Sequence, residues 1–124
     1  MTGITFDAGA LIGIEQRKTR ITRIFLDALR RGTTITVPAP VIIEWWRART
    51  DRRDEILDEL VAEPTTVALA KRAGEAIARV KGATVVDALV MASASTRGDV
   101  VFTSDVDDLE RLRAVFPEVR VLAV

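Results

Sequence analysis

Three acids stand alone in apolar surroundings. Asp7 is the only charged side chain from Met1 to Ile14, Glu44 the only one from Gly32 to Trp46, and Asp87 the only one between Lys81 and Arg97. A buried carboxylate is costly unless something compensates it, and no base lies within the Asp87 stretch to do so. Distant acids that share this isolation are expected to converge on one cation. A fourth acid, Asp105, opens the run Asp105, Asp107, Asp108 and Glu110 directly after the apolar stretch Val100–Thr103.

The chemistry open to these residues is narrow. The chain has no Cys, no His and no Tyr. Disulfides, thiolate nucleophiles, Ser-His-Asp triads, His-rich zinc sites and tyrosyl nucleophiles are therefore excluded. Acid–base or metal work falls to Asp and Glu by elimination. Oxygen-only donors suit the hard cations Mg²⁺ and Mn²⁺.

Each acid has a structural reading as well. Thr84 is a candidate N-cap, and Asp87 three residues on nearly completes a capping box, although that box prefers Glu or Gln. Glu44 falls in the first two turns of a helix, where the helix dipole favours an acid. One acid of the 105–110 run would cap the helix that follows. Six bases against Asp27 alone mark 17–31, whose apolar residues follow a helical spacing. Its basic face is either simply solvated or a surface for phosphate backbones, with Arg17, Lys18 and Arg20 as candidates and Arg47 and Arg49 beyond it.

The elements that must position these groups alternate. Ile4–Asp7 reads as a buried strand, followed by a small turn at Ala8-Gly9-Ala10 and a short helix. The basic helix ends at Gly32, Thr34–Val37 is a second strand, and Pro40 opens the Glu44 helix. A charged helix spans Asp51–Val61, and Thr65–Leu69 forms a short edge strand. Two helices follow, over Ala70–Val80 and around Asp87, then a strand over Asp99–Thr103, a helix through Leu109 and Leu112, and a closing strand over Val119–Val124. Of the adjacent Trp45 and Trp46, at least one is core, and the other can serve an interface. This order gives an α/β fold: a three-layer sandwich with a central parallel sheet of four to five strands and helices on both faces. Asp7 and Asp105 then leave one edge of the sheet, and Glu44 and Asp87, near helix N-termini, face that same edge.

Length and composition agree. A chain of 124 residues, 48% hydrophobic, fits one domain over 1–124 with a substantial core. Eighteen basic and eighteen acidic residues cancel, so any attraction to nucleic acid is local. No leader pattern and no apolar stretch of roughly 18 residues is present, and a cytoplasmic location is expected.

Four segments in this order resemble the PIN-domain ribonucleases of the VapC toxin type: Phe6-Asp7-Ala8-Gly9-Ala10-Leu11, Val41-Ile42-Ile43-Glu44, Thr84-Val85-Val86-Asp87-Ala88-Leu89-Val90-Met91-Ala92, and Val101-Phe102-Thr103-Ser104-Asp105-Val106-Asp107-Asp108-Leu109. The resemblance implies a PIN-like fold and a Mg²⁺- or Mn²⁺-dependent endoribonuclease that acts on tRNA- or rRNA-class substrates. It also implies a homodimer and a cognate VapB-type antitoxin. Its acidic quartet carries over onto Asp7, Glu44, Asp87 and Asp105. Asp7 and Asp87 are foremost as direct metal ligands, with Asp105 in the metal set. Glu44 and Asp105 can also act through water, and Asp108 and Ser104 are helpers. Many such proteins carry hydroxyl residues after the first Asp, where this chain has Ala8 and Gly9. Without His, a paired-imidazole route through the 2′-hydroxyl is closed, so hydrolysis leaving a 5′-phosphate is expected. Two other classes compete: a PIN-like module that only docks RNA or protein, and a phospho-acceptor receiver domain. The receiver would need a lysine after Asp105, whereas the lysines are Lys18, Lys71 and Lys81.

Overall fold

Apolar strands without charge need cover on both faces, and a parallel sheet between helical layers supplies it. In the computed structural model, which describes residues 2–124, five parallel strands lie in the order β3-β2-β1-β4-β5. In chain order the elements are β1 (Ile4–Phe6), α1 (Ala8–Glu15), α2 (Thr19–Arg31), β2 (Ile35–Pro38), α3 (Ala39–Trp45) and α4 (Asp51–Asp58). Then come β3 (Val61–Glu63), α5 (Val67–Arg79), α6 (Val85–Arg97), β4 (Val100–Thr103), α7 (Val106–Leu112) and β5 (Arg120–Ala123). Right-handed crossovers place α1–α4 on one face and α5–α7 on the other. The packing agrees, since α1 meets α2, α3 and α4 while α6 meets α5 and α7. Phe6, Leu11, Ile14, Val90, Met91 and Val101 are fully buried between these layers.

Helix ends follow local chemistry. Gly32 and Gly98 close the 13-residue helices α2 and α6 in the left-handed conformation, at φ 67° and 72°, which glycine adopts without the strain of a Cβ. Thr84 caps α6 by accepting from the Asp87 amide at 3.2 Å. Trp45 is the core tryptophan, donating its indole N–H to Glu15 at 2.8 Å, while Trp46 packs edge-on against it and stays partly exposed.

Three segments differ from the sequence reading. The edge strand is Val61–Glu63, not 65–69, and α4 stops at Asp58. Pro64 has no amide to extend the ladder, and Thr66 turns the chain into α5 by capping it through the Leu69 amide at 3.1 Å. Ala8-Gly9-Ala10 is also not a free turn. Asp7 accepts from the Ala10 amide at 3.0 Å, so α1 begins directly at Ala8.

The centre of the sheet carries one polar knot. Thr5, fully buried on β1, donates to Asp99 at 2.9 Å and accepts from Arg97 at 3.1 Å. Arg97 also holds Asp99 at 2.9 Å, Glu63 at 2.6 Å and Ser93 at 2.8 Å. One guanidinium thus ties α6 to β1, β3 and the entry to β4. Replacing Arg97 by Met leaves Asp99 buried without a cation, and a loss of about 3 kcal/mol or more is expected. Urea denaturation at pH 7 reads it directly, and a loss under about 1 kcal/mol would show the knot to be energetically minor.

Candidate active site

The chain direction reverses across the sheet between β1 and β4. From β1 the chain moves toward β2, and from β4 it moves toward β5. The helices after these two strands leave on opposite faces, which opens a crevice at their carboxyl ends, where ligands bind in open α/β sheets. Ile4, Thr5 and Phe6 pair with Val100, Val101 and Phe102. This register sets Asp7 level with Thr103 at the mouth of the crevice.

A cleft of about 380 Å³ lies there. Asp7, Glu44, Asp87 and Asp105 all line it, together with Ser104, Asp108 and Arg47. The four acids come from the end of β1, α3, α6 and the β4–α7 turn, so the fold brings together four separate segments. They differ in depth. Asp7 is buried, Asp87 is half-buried, and Glu44 and Asp105 are exposed. Among the described residues no three acids are gathered tightly enough to form a ready ion cage. They ring the cleft.

Asp7 is the anchor. One carboxylate oxygen accepts from the Ala10 amide and the other from the Thr103 hydroxyl. Burial pushes its carboxyl up to about 6, the two hydrogen bonds pull it back, and the charges of Asp105 and Asp87 add to the rise. Asp87 is raised too, first by burial, against a contact with the Thr84 hydroxyl, and then by Asp108, Asp105 and Glu44. The acids feel one another across the cleft, and the described ion pairs give none of the four a basic partner. Asp108 is different: Arg111 neutralises it at 3.0 Å.

Thr103 is a site residue that the sequence reading passed over. Fully buried, it donates to Asp7 while accepting from the Asp105 amide at 2.8 Å. One hydroxyl thus joins the deepest acid to the loop of another. A threonine ending an otherwise apolar buried strand is itself a polar oddity, and that is the signal pointing to it. Asp105 occupies the cap position of α7 without capping it through its side chain, which leaves that carboxylate free toward the cleft.

The bases are less concentrated. Arg47 lines the cleft, with its Nε held by the Glu44 carbonyl at 2.9 Å. Arg17, Lys18 and Arg20 are exposed outside the cleft lining, and Arg20 donates to the Ala123 carbonyl at 3.1 Å. Arg49 is engaged by Asp51 and Asp54 at 2.9 and 2.7 Å. Among the described residues, no helix is long and apolar enough to cross a membrane.

Fold and cleft together define an open α/β protein with a carboxylate-lined crevice at its topological switch point. The chain belongs to the PIN domain family, whose model matches residues 4–115. The fold is similar to a chain in the crystal structure of VapBC2 from Rickettsia felis bound to a DNA fragment from their promoter, at 13% identity and TM-score 0.77 over 98% of each chain. It is also similar to a chain in DNA-bound VapBC from Salmonella typhimurium, at 18% identity and TM-score 0.73 over 99% of this chain and 98% of that one. FitAcB from Neisseria gonorrhoeae gives 15% identity and TM-score 0.63 over 96% of each chain. No curated protein matches the sequence.

The raised Asp7 carboxyl predicts a pH dependence of stability. Its value of about 6 lies above the ordinary 3.8, so the folded protein holds this proton more tightly than the unfolded chain. The stability linked to it is complete below about pH 4 and is lost as pH rises through about 6, by about 3 kcal/mol at most. In EDTA, Asp7→Asn should melt at or below the wild-type temperature at pH 4 and above it at pH 8. A difference that stays constant over this range would contradict the burial assigned to Asp7. Thr103→Val strips a partner from both Asp7 and the Asp105 amide and should cost about 1–3 kcal/mol by urea denaturation.

Proposed function

We propose that the chain is a divalent-metal-dependent endoribonuclease and the toxin of a type II toxin–antitoxin pair. The observation that carries this reading is the cleft itself, where four carboxylates from four segments face one space and none has a basic partner among the described ion pairs. PIN domains are generally nucleases, and the family membership supports that activity.

The donor set fits a hard cation. It is all oxygen, and it is net negative even with Arg47 counted. The repulsion that helps to raise Asp7 and Asp87 is what a divalent ion relieves. Asp7 and Asp87 would hold Mg²⁺ or Mn²⁺, with Asp105 completing the set. Such an ion supplies charge neutralisation at a phosphodiester and a more acidic water near neutral pH. The protein's own groups do the rest. Thr103 and the Ala10 amide fix the Asp7 carboxylate, so it need not reorganise when it binds. Glu44, exposed on the rim, would orient the attacking water and take its proton on a carboxylate oxygen. Arg47 would hold a backbone phosphate as a point of positive charge within the acidic cleft. Ile12 and Val86, also lining the cleft, give it an apolar flank. The attack would break the P–O3′ bond, with O3′ leaving as a hydroxyl protonated from solvent, so the products would be fragments with 5′-phosphates and 3′-hydroxyls from tRNA- or rRNA-class substrates.

The similar chains in VapBC and FitAcB structures support an antitoxin partner; the proposal extends this to a VapB-type antitoxin that covers the cleft and to a homodimer as the working form. Arg17, Lys18 and Arg20 would extend RNA contact along the exposed start of α2.

The test is cleavage of total tRNA and rRNA by purified protein with Mn²⁺, with Mg²⁺ and with EDTA. Asp7→Asn and Asp87→Asn should each lower the rate at least about 100-fold, since even outer-shell changes at metal sites cost 10–100-fold. EDTA should abolish cleavage, and the products should carry 5′-phosphates. Equal rates in wild type and both variants would end the assignment.

A further inference from the structure

We propose that Gly9 and Ser104 form a size-matched contact that sets the spacing of the two loops carrying Asp7 and Asp105. The inference rests on the carboxylate-site reading above. Gly9 sits in the first turn of α1, two residues after Asp7, and Ser104 immediately precedes Asp105. Both line the cleft. The backbone at Gly9 does not ask for glycine, because it is helical and its φ is not positive. Glycine within a helix is unfavourable relative to alanine, so space is the remaining reason for it.

The space is taken. A Cβ at position 9 would lie 2.6 Å from the Ser104 Cβ and 3.1 Å from the Ser104 amide nitrogen, and closer still to its Oγ. The hydroxyl could swing aside, but the Cβ and the backbone could not without moving the β4–α7 turn. Gly74, inside α5, is the internal control: a Cβ there meets nothing within 4 Å. Gly9 and Gly74 therefore differ in kind, although both are helical. At Gly9, the missing side chain lets the start of α1 close onto the turn after β4. Thr103 makes the complementary link from below, joining Asp7 to the Asp105 amide. The two contacts bracket the acid pair, one through a hydrogen bond and one through steric fit. Gly9 and Ser104 act through the acids, so they are positioning residues.

The experiment compares wild type, Gly9→Ala, Ser104→Gly, the double variant Gly9→Ala/Ser104→Gly, and Gly74→Ala. Each is measured for Mn²⁺ affinity by calorimetry and for melting temperature in EDTA. Gly9→Ala should weaken Mn²⁺ binding about tenfold or more, the range seen when supporting contacts of metal ligands are lost. The double variant, with the Ser104 Cβ removed, should bind within about threefold of Ser104→Gly alone, the non-additivity expected of two residues in contact. Gly74→Ala should melt higher and bind Mn²⁺ as wild type does. Unchanged affinity in Gly9→Ala overturns the proposal, as does a double variant as weak as Gly9→Ala. Should Gly9→Ala not fold, the double variant against Ser104→Gly decides alone. Wild-type protein that takes up no Mn²⁺ removes the carboxylate-site reading and this contact with it. Normal wild-type uptake that Gly9→Ala leaves untouched removes only the contact.

Discussion

One carboxylate held out of water, with no basic partner among the described residues, governs this molecule. Asp7 must sit at the end of the central strand, where the sheet's two halves diverge, because β1 is flanked by strands on both sides and covered on both faces. Two neutral donors steady it there, but neither cancels its charge. The remaining negative potential is shared with Asp87 and Asp105, whose charges reach it across the cleft. A site in this condition favours whatever positive charge can enter.

The same sheet supplies the contrasting solution. Asp99 is as deeply buried as Asp7, yet Arg97 grips it within the fold, along with Glu63. Glu15 is likewise held by Arg53 at 3.0 Å and by the Trp45 indole, and these bonds keep its carboxyl below the usual range. This chain has arginines to spare and uses them where an acid serves structure. At the crevice it withholds them from four acids, while Arg111 takes Asp108. Acids with internal partners consolidate the fold, and the four that line the crevice have no such partner among the described ion pairs.

Connectivity explains why the acids meet at all. A parallel sheet places every strand's carboxyl end on one edge, and reversing direction between β1 and β4 parts their helices there. Helix α6 begins at that edge, so Asp87 in its first turn is delivered to it, whereas Glu44, expected near a helix N-terminus, reaches the cleft from the last turn of the short α3. The arrangement needs close approach between the β1–α1 and β4–α7 segments, and it is here that a small residue, a hydroxyl and a short register-matched pair of strands coincide. Arg47 is placed by the same helix as Glu44, just beyond its end, so one element presents both signs to the cleft.

Much of this is legible in the amino-acid sequence itself. The isolation of Asp7, Glu44 and Asp87 within apolar runs pointed to a shared place in the fold, and the three do line one cleft. Strand–helix alternation defined the parallel sheet, because the two periodicities and the glycine stops are local. Depth and pairing were beyond the reach of the sequence. Only Asp7 of the four is buried, while Glu44 and Asp105 stand in the open, since a helix or a turn can expose one residue among apolar neighbours. The edge strand at Val61–Glu63 was hidden because its pairing with β2, not its composition, makes it a strand. Which acids would be matched by arginine, as Glu63 and Glu15 are, and which left bare, was decided by tertiary contact alone. Those two pairs join residues 34 and 38 positions apart, which meet only once the sheet and its helices have closed.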